Sequence, residues 1–240
     1  MKEQKMTKQV GVVVVAGGKG SRMGTSESKQ YLPVAGIPIL VRTLMRFEEW
    51  DEADAIVLVT GEADVPRCRA YVETYGLTKV TAVVSGGAER QASVHEGIKA
   101  LPDEVEWVLV HDAVRPFVTL RELSGCLRTA RETGAAVLAV PVKDTIKIVG
   151  AEGRVEATPD RRSLWAVQTP QAFRRAELEA AHRAAEEEGF LGTDDAMLME
   201  RAGVPVHVAE GSYTNIKITT PEDLAWAQWH VEREKGEGEA

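Results

Sequence analysis

Apolar residues along the chain follow two alternating rhythms. Unbroken, β-branched runs predict strands buried on both faces: "VGVVVVA" (10–16), "AIVLVTG" (55–61), "KVTAVVSGG" (79–87), "EWVLVHDAVRPF" (106–117) and "AAVLAVPV" (135–142). Between them, apolar positions recur at helical spacing. Leu40, Leu44 and Phe47, with Thr43, mark a helix over 39–50; Val94, Ile98 and Leu101 mark one over 88–101. Further helices are predicted over 65–76, closed by Gly76, and over 120–134. Strand and helix taking turns over this many units predicts βαβ crossovers and a mostly parallel sheet.

The rhythm changes after Val142. "TIKIV" and "RVEAT", joined by "GAEG", predict a β-hairpin within about 143–160. A lone two-stranded hairpin is marginal in water, so this one is expected to project from the body and pack against something, a second subunit being one candidate. Helices are then predicted over 174–189 and over 193–203, with Thr193 as the N-cap of the second, and strands over 204–211 and 214–219. A last helix should start at "TTPEDL", where Thr220 suits the N-cap, Pro221 the first turn, and Glu222 and Asp223 the positive helix end. No repeat or low-complexity linker divides the chain, which reads as one α/β domain over 1–240.

Composition narrows the class. The 240 residues are 44% hydrophobic and 28% charged, which suits a globular domain with a sizeable core. No apolar run approaches the ~18 residues a membrane span needs, and "MKEQKMTKQV" lacks the apolar stretch of a secretory signal. A net charge of −8 argues against a nucleic-acid partner. Cys68 and Cys126 are too few for a disulfide framework or a zinc site, so a reduced, cytoplasmic protein is expected.

Polar clusters follow the strands at four places, where open α/β sheets bind ligands. The first is "AGGKGSRMGTSESK", a glycine loop with Lys19, Arg22 and Lys29. It is not a dinucleotide fingerprint, because Met23 stands where glycine should, and it contains no P-loop match. What remains is backbone N–H groups for a phosphate, with Arg22 and Lys29 converging on a polyphosphate; a solvated surface loop is the weaker reading. In "SGGAERQAS", Gly86 and Gly87 would let a planar base approach the backbone, with Arg90 and Ser93 as donors, and an ordinary strand–turn–helix is an equal reading. In "VLVHDAVRP", Asp112 ends a buried strand, where a carboxylate needs a cation or donors; Mg²⁺ and a pair with Arg115 both qualify, and His111 reads as structural. In "TNIKITTPEDL", Lys217 alternates with Ile216 and Ile218 and shares a side with Asn215 and Thr219; a protective edge-strand lysine is the plain alternative.

Taken in order, "AGGKGSRM", "SKQYL", "SGGAERQASV", "VHDAVRPF", "PVKDTIK", "DRRSLWAVQTPQAF", "TDDA" and "NIKITTPEDL" resemble the 2-C-methyl-D-erythritol 4-phosphate cytidylyltransferase family, from about residue 10 to 225. The resemblance implies a Rossmann-like nucleotidyltransferase fold with a mostly parallel central sheet, and a homodimer joined by the projecting β-arm. It implies transfer of CMP from CTP to methylerythritol phosphate, with release of pyrophosphate, in isoprenoid precursor synthesis. The family's phosphate-stabilising residues fall on Arg22 and Lys29, and its sugar-phosphate positioning residues on Arg161 and Lys217, with Thr145 and Arg115 nearby. Its metal-associated aspartate, for Mg²⁺, falls on Asp112, and its nucleotide contacts on Ala16, Gly17, Gly18, Gly87, Ala88 and Ser93. Arg161, just past the arm, could serve either its own or the partner's site. Two positions depart from the pattern. Ser28 stands where proline commonly precedes the lysine, and Ala88 where a polar side chain is common.

The chemistry agrees with the residues. The nucleophile is already an anionic phosphate and needs no general base; the difficulty is bringing it to a second anion, which calls for cations and positioning. Two alternatives stand beside this reading: a cytidylyltransferase for ribitol 5-phosphate or a similar pentitol phosphate, and a non-catalytic nucleotide-binding protein. An NAD(P) oxidoreductase is disfavoured by Met23.

Overall fold

β-branched residues form the centre of the molecule because their stiff side chains pack best on a pleated surface covered on both sides. A computed structural model of the chain describes residues 10–17 and 27–238, with side chains to residue 234. Strand β1 (Val10–Val15) is followed by a small hairpin, β2 (Pro33–Val34) and β3 (Ile37–Pro38), and by helix α1 (Ile39–Glu49). Three βα units come next: β4 (Ala55–Thr60) with α2 (Val65–Thr74), β5 (Val80–Ser85) with α3 (Arg90–Lys99), and β6 (Trp107–Asp112) with α4 (Leu120–Thr133). Then follow β7 (Ala135–Pro141), the hairpin β8 (Ile148–Val149) and β9 (Val155–Ala157), and β10 (Trp165–Arg174). The chain closes with α5 (Arg175–Glu187), α6 (Asp195–Arg201), β11 (His207–Glu210) and α7 (Pro221–Gly238).

Seven strands make the main sheet in the order β11-β7-β10-β6-β1-β4-β5. Every pairing is parallel except those of β10, which runs antiparallel to both β6 and β7. From β1 the chain winds outward through β4 and β5, then returns to place β6 on the other side of β1. The switch point between β1 and β6 opens the crevice in which such sheets bind ligands.

Register sorts the side chains. Val12, Val14, Leu58 and Leu109 face one way and pack with Leu40, Leu44 and Phe47 of α1 and Leu123 and Leu127 of α4. Val13, Val57, Val108 and Val110 face the other way, against Val94 and Ile98 of α3, Leu178 of α5 and Met199 of α6. A smaller cluster places α7 and Ile218 against Val34, Ile39 and Val114. Full burial of each such side chain is worth roughly 1.5–3 kcal/mol. Helix α3 sits especially close, since a Cβ on Gly97 would overlap Val13 Cγ1 and lie 2.8 Å from Val59 Cγ2.

Three elements differ from the sequence reading. No strand spans 214–219. That segment is held by side chains instead: Asn215 Nδ2 donates to the carbonyl of Thr169 (2.9 Å), and Arg115 Nη1 donates to the carbonyl of Asn215 (2.7 Å). The alternation of Ile216 and Ile218 therefore reflects an extended segment pinned into a pocket, not a ladder. The N-cap of α6 is Asp194, not Thr193: its carboxylate accepts from Met197 N–H at 2.9 Å. Strand β10 had no counterpart in the sequence reading, because Gln168, Thr169, Pro170 and Gln171 break the apolar run. It tolerates Pro170 at its centre through a register shift between Val167 and Gln171. The hairpin forms, with shorter strands than "TIKIV" and "RVEAT", and all five strand residues are exposed.

Candidate active site

Backbone turns at the ends of three parallel strands shape a cleft of about 270 Å³. Val15, Ala16 and Gly17 leave β1, Gly87, Ala88 and Glu89 leave β5, and Asp112, Ala113 and Val114 leave β6. Arg90 and Ser93 of α3, Lys29, Gln30 and Lys217 complete the wall. Nine of the positions singled out in the sequence thus meet here: Ala16, Gly17, Lys29, Gly87, Ala88, Arg90, Ser93, Asp112 and Lys217. Gly18 and Arg22 lie outside the described residues.

Each wall residue has a local reason for its place. Gln30, which the sequence reading passed over, is buried, and its Nε2 donates to the Ala16 carbonyl at 2.8 Å. It thereby ties the short helical turn at Lys29–Tyr31 to the end of β1. The two glycines after β5 are explained by helix packing. A Cβ on Gly86 would collide with Ser93 Oγ, and one on Gly87 would lie 2.5 Å from the Ala92 methyl. Ser93 Oγ donates to the Glu89 carbonyl at 3.0 Å, so its proton is used inside the first turn of α3.

Asp112 is the electrostatic centre. Its Oδ2 lies 2.7 Å from Lys217 Nζ and its Oδ1 lies 3.3 Å from Arg90 Nε. Its backbone N–H donates to Thr169 Oγ1 at 3.0 Å. Burial alone would push this carboxyl up, but Arg90 and Lys217 outweigh that and hold it well below the usual carboxylate range. The Asp112–Arg115 pair considered from sequence is not an ion pair: the two meet through the backbone, Arg115 N–H donating to the Asp112 carbonyl at 3.1 Å, and the ion pairs of Asp112 go to Arg90 and Lys217. Arg115 lies outside the cleft wall and its guanidinium supports the loop of Lys217 through the Asn215 carbonyl. His111 Nε2–H donates to the Arg115 carbonyl at 3.1 Å, and its ring meets Phe47 edge-on. Burial pushes its pKa down to about 4, so it is neutral at pH 7.

Arg90 is not a free donor beside a base. Its Nη1 also pairs with Asp195 Oδ2 at 2.7 Å, so one guanidinium bridges two buried carboxylates. Asp195 in turn lies 3.2 Å from His182 Nε2. The only sequence trace of this arrangement is the acidic pair in "TDDA".

Thr145 and Arg161 stand apart from the cleft wall. Both are exposed, and Arg161 Nη1 donates to the Lys143 carbonyl at the base of the hairpin. The same base is gripped by Tyr213, whose hydroxyl donates to the Pro141 carbonyl at 2.7 Å and whose ring lies 3.5 Å below Lys143 Nζ. As to metals, no group of three or more His, Cys, Asp or Glu side chains suited to a metal ion occurs among the described residues. Asp112 is the buried carboxylate at the cleft, and a cation that keeps water and takes phosphate oxygens needs no more from the protein.

Comparison with known proteins adds the chemistry. The family model for IspD, 2-C-methyl-D-erythritol 4-phosphate cytidylyltransferase, matches residues 10–233. A relative of that name from Syntrophus aciditrophicus is 45% identical, covering 96% of this chain and 99% of its own. One from Geobacter metallireducens is 50% identical, over 90% of this chain and 94% of its own. The crystal structure of 4-diphosphocytidyl-2C-methyl-D-erythritol synthase from Anaerococcus prevotii superposes with a TM-score of 0.82 at 33% identity, covering 93% and 96% of the two chains.

Proposed function

The chain belongs to the 2-C-methyl-D-erythritol 4-phosphate cytidylyltransferase family, and on that premise we propose how its residues carry out the reaction. The enzyme transfers CMP from CTP to 2-C-methyl-D-erythritol 4-phosphate in isoprenoid precursor synthesis. A phosphate oxygen of the sugar alcohol bonds to the α-phosphorus of CTP as the α–β bridging oxygen departs with pyrophosphate. The pentitol phosphate and non-catalytic readings are not favoured, since the family model and the relatives share the one activity.

One observation supports the assignment of roles: Lys217 and Arg90 pair with the buried Asp112 carboxylate in a cleft that Lys29 also lines. CTP enters with its base against Ala16, Gly17, Gly87, Ala88 and Ser93, Gly18 extending that surface, and its phosphates toward Lys29. Arg22 joins Lys29 on the triphosphate. Both reacting groups are anions, so the residues work by neutralising charge and fixing approach, and no proton need be removed from the nucleophile. Asp112 would hold Mg²⁺, which supplies charge neutralisation on the phosphates when bound. Lys217, carried on a loop pinned by Arg115, then serves the sugar phosphate.

A second copy of the chain completes the site. Ile148 (50% exposed), Val149 (52%) and Val155 (52%) leave an apolar arm uncovered, and Trp165 and Val167 of β10 are exposed as well. Covering it with the same arm of a partner would carry Thr145 and Arg161 toward the partner's cleft.

Pyrophosphate release tests the assignment. With CTP, methylerythritol phosphate should support turnover and ribitol 5-phosphate should not. Lys29→Ala should stay folded and lose about 10²–10³ in kcat, the loss typical of one aligned transition-state donor. Equal use of both alcohols, or a fully active Lys29→Ala enzyme, would refute it.

A further inference from the structure

We propose that Asp195, which does not line the cleft, is a positioning residue for the reaction, acting through Arg90 on Asp112 and thence on Lys217. The inference rests on the assignment of Asp112 and Lys217 to the active site. Asp195 is 1% exposed at the start of α6, behind the cleft wall. Its Oδ2 takes Arg90 Nη1 at 2.7 Å and its Oδ1 takes His182 Nε2 at 3.2 Å. Arg90 reaches past it with Nε to Asp112 Oδ1 at 3.3 Å, leaving Oδ2 to Lys217 at 2.7 Å. Carboxylate, guanidinium, carboxylate and imidazole thus form one line from the half-buried cleft wall to the interior.

The geometry of the guanidinium makes this more than a stability device. A planar fork presents several donors at fixed angles, so anchoring Nη1 on Asp195 fixes where Nε can stand. Arg90 opens α3 next to two glycines, and Asp112 closes a strand with its backbone N–H already committed to Thr169. Among the described residues, Asp195 is the second carboxylate that Arg90 meets, and it holds the far end of the guanidinium. Helix α6 is itself secured to the interior strand β10: Gln171 Nε2 donates to Asp194 Oδ2 at 2.8 Å, and Ala196 N–H donates to Gln171 Oε1 at 3.1 Å. The line is therefore referred to the same strand that supports Asp112 through Thr169. Displacing Arg90 rotates the Asp112 carboxylate, and Lys217 follows it.

A double-substitution cycle of Arg90→Lys and Asp195→Asn tests this in the full-length enzyme, with the turnover of the unsubstituted chain as the baseline that tests the activity itself. A lysine keeps the charge but cannot span two carboxylates. Each single variant should lower kcat by about 10- to 100-fold, as a misplacement near 1 Å does, while KM for CTP stays near its starting value. The double variant should be no slower than the slower single one, because Asp195 acts only through Arg90. A structural role alone would lower the melting temperature and leave kcat per folded molecule unchanged. Should Asp195→Asn fail to fold, Arg90→Lys decides alone. A folded Arg90→Lys enzyme with unaltered kcat overturns the proposal, as do losses that multiply in the double variant.

Discussion

At the scale of single residues, this cleft is organised around buried charge. Asp112 and Asp195 are carboxylates taken out of water, which is costly unless cations replace the lost hydration. For Asp195, burial would raise the pKa, and Arg90 with His182 more than offsets it, so the folded value is depressed. A depressed carboxyl contributes stability that is complete above the ordinary range near pH ~4 and is lost as pH falls through the folded value. At neutral pH, Asp195→Asn should thus be less stable than the natural chain by about 3–5 kcal/mol, the range for breaking a buried pair. Denaturant unfolding at pH 7 and pH 3 should show the gap narrowing in acid; a constant gap would mean that the pairing energy is not electrostatic. Asp112 and Lys217 drew notice in the sequence because each interrupts an apolar pattern. Arg90 did so only as a generic donor, and Asp195 lay unnoticed within a helix start. Their pairing joins positions 105 residues apart, which no local pattern encodes.

At the scale of elements, the helices and parallel strands were legible because their hydrophobic period is a local property. Helix α3 shows how tightly that period is used. Gly97 lets it approach β1, and the Gly86–Gly87 turn lets its first residues close over the cleft. Gly97→Val would force branched methyls into Val13 and Val59. Overpacking of this kind should destabilise the fold by about 1–3 kcal/mol, read as a lower midpoint of denaturant unfolding. An unshifted midpoint would show that α3 can move away from β1. Strand β10 was not legible, because its centre, "QTPQ", is polar. Those residues are polar for tertiary reasons: Gln168 donates to Ser212, Thr169 receives Asp112, and Gln171 secures α6. The segment 214–219 failed in the opposite sense. It has strand-like alternation but pairs with no strand: Arg115 donates to its Asn215 carbonyl and its Ile218 N–H donates to the Val114 carbonyl.

At the scale of the whole molecule, the hairpin is the part that has no reason to exist in isolation. Five exposed strand residues, three of them large and apolar, cannot stabilise a two-stranded ribbon in water. Assembly with a second arm would bury them. Replacing both Ile148 and Val155 by Asp should convert a dimer to monomers in analytical ultracentrifugation. On the proposed assembly, in which the arm carries Thr145 and Arg161 to the partner's cleft, it should also raise the KM for the sugar phosphate. A dimer that survives the double substitution would refute the arm as the joint. The grip of Tyr213 and Arg161 on residues 141–143 places the root of the arm beside the loop of Lys217.

By itself, the sequence determined the class of fold, the hairpin and the chemistry-bearing ends of the strands. Hydrophobic period, turn residues and misplaced charges act over a few positions, and a chain records them directly. Only the tertiary structure decided which cation serves which carboxylate. It turned Arg115 from a partner of Asp112 into a prop for the Lys217 loop, gave Asp112 to Arg90 and Lys217, and brought Asp195 behind both. It also set an antiparallel strand with a polar centre in the middle of a parallel sheet. These choices depend on distances between residues remote in the chain, and on the energetic need of every buried charge to find its counterpart.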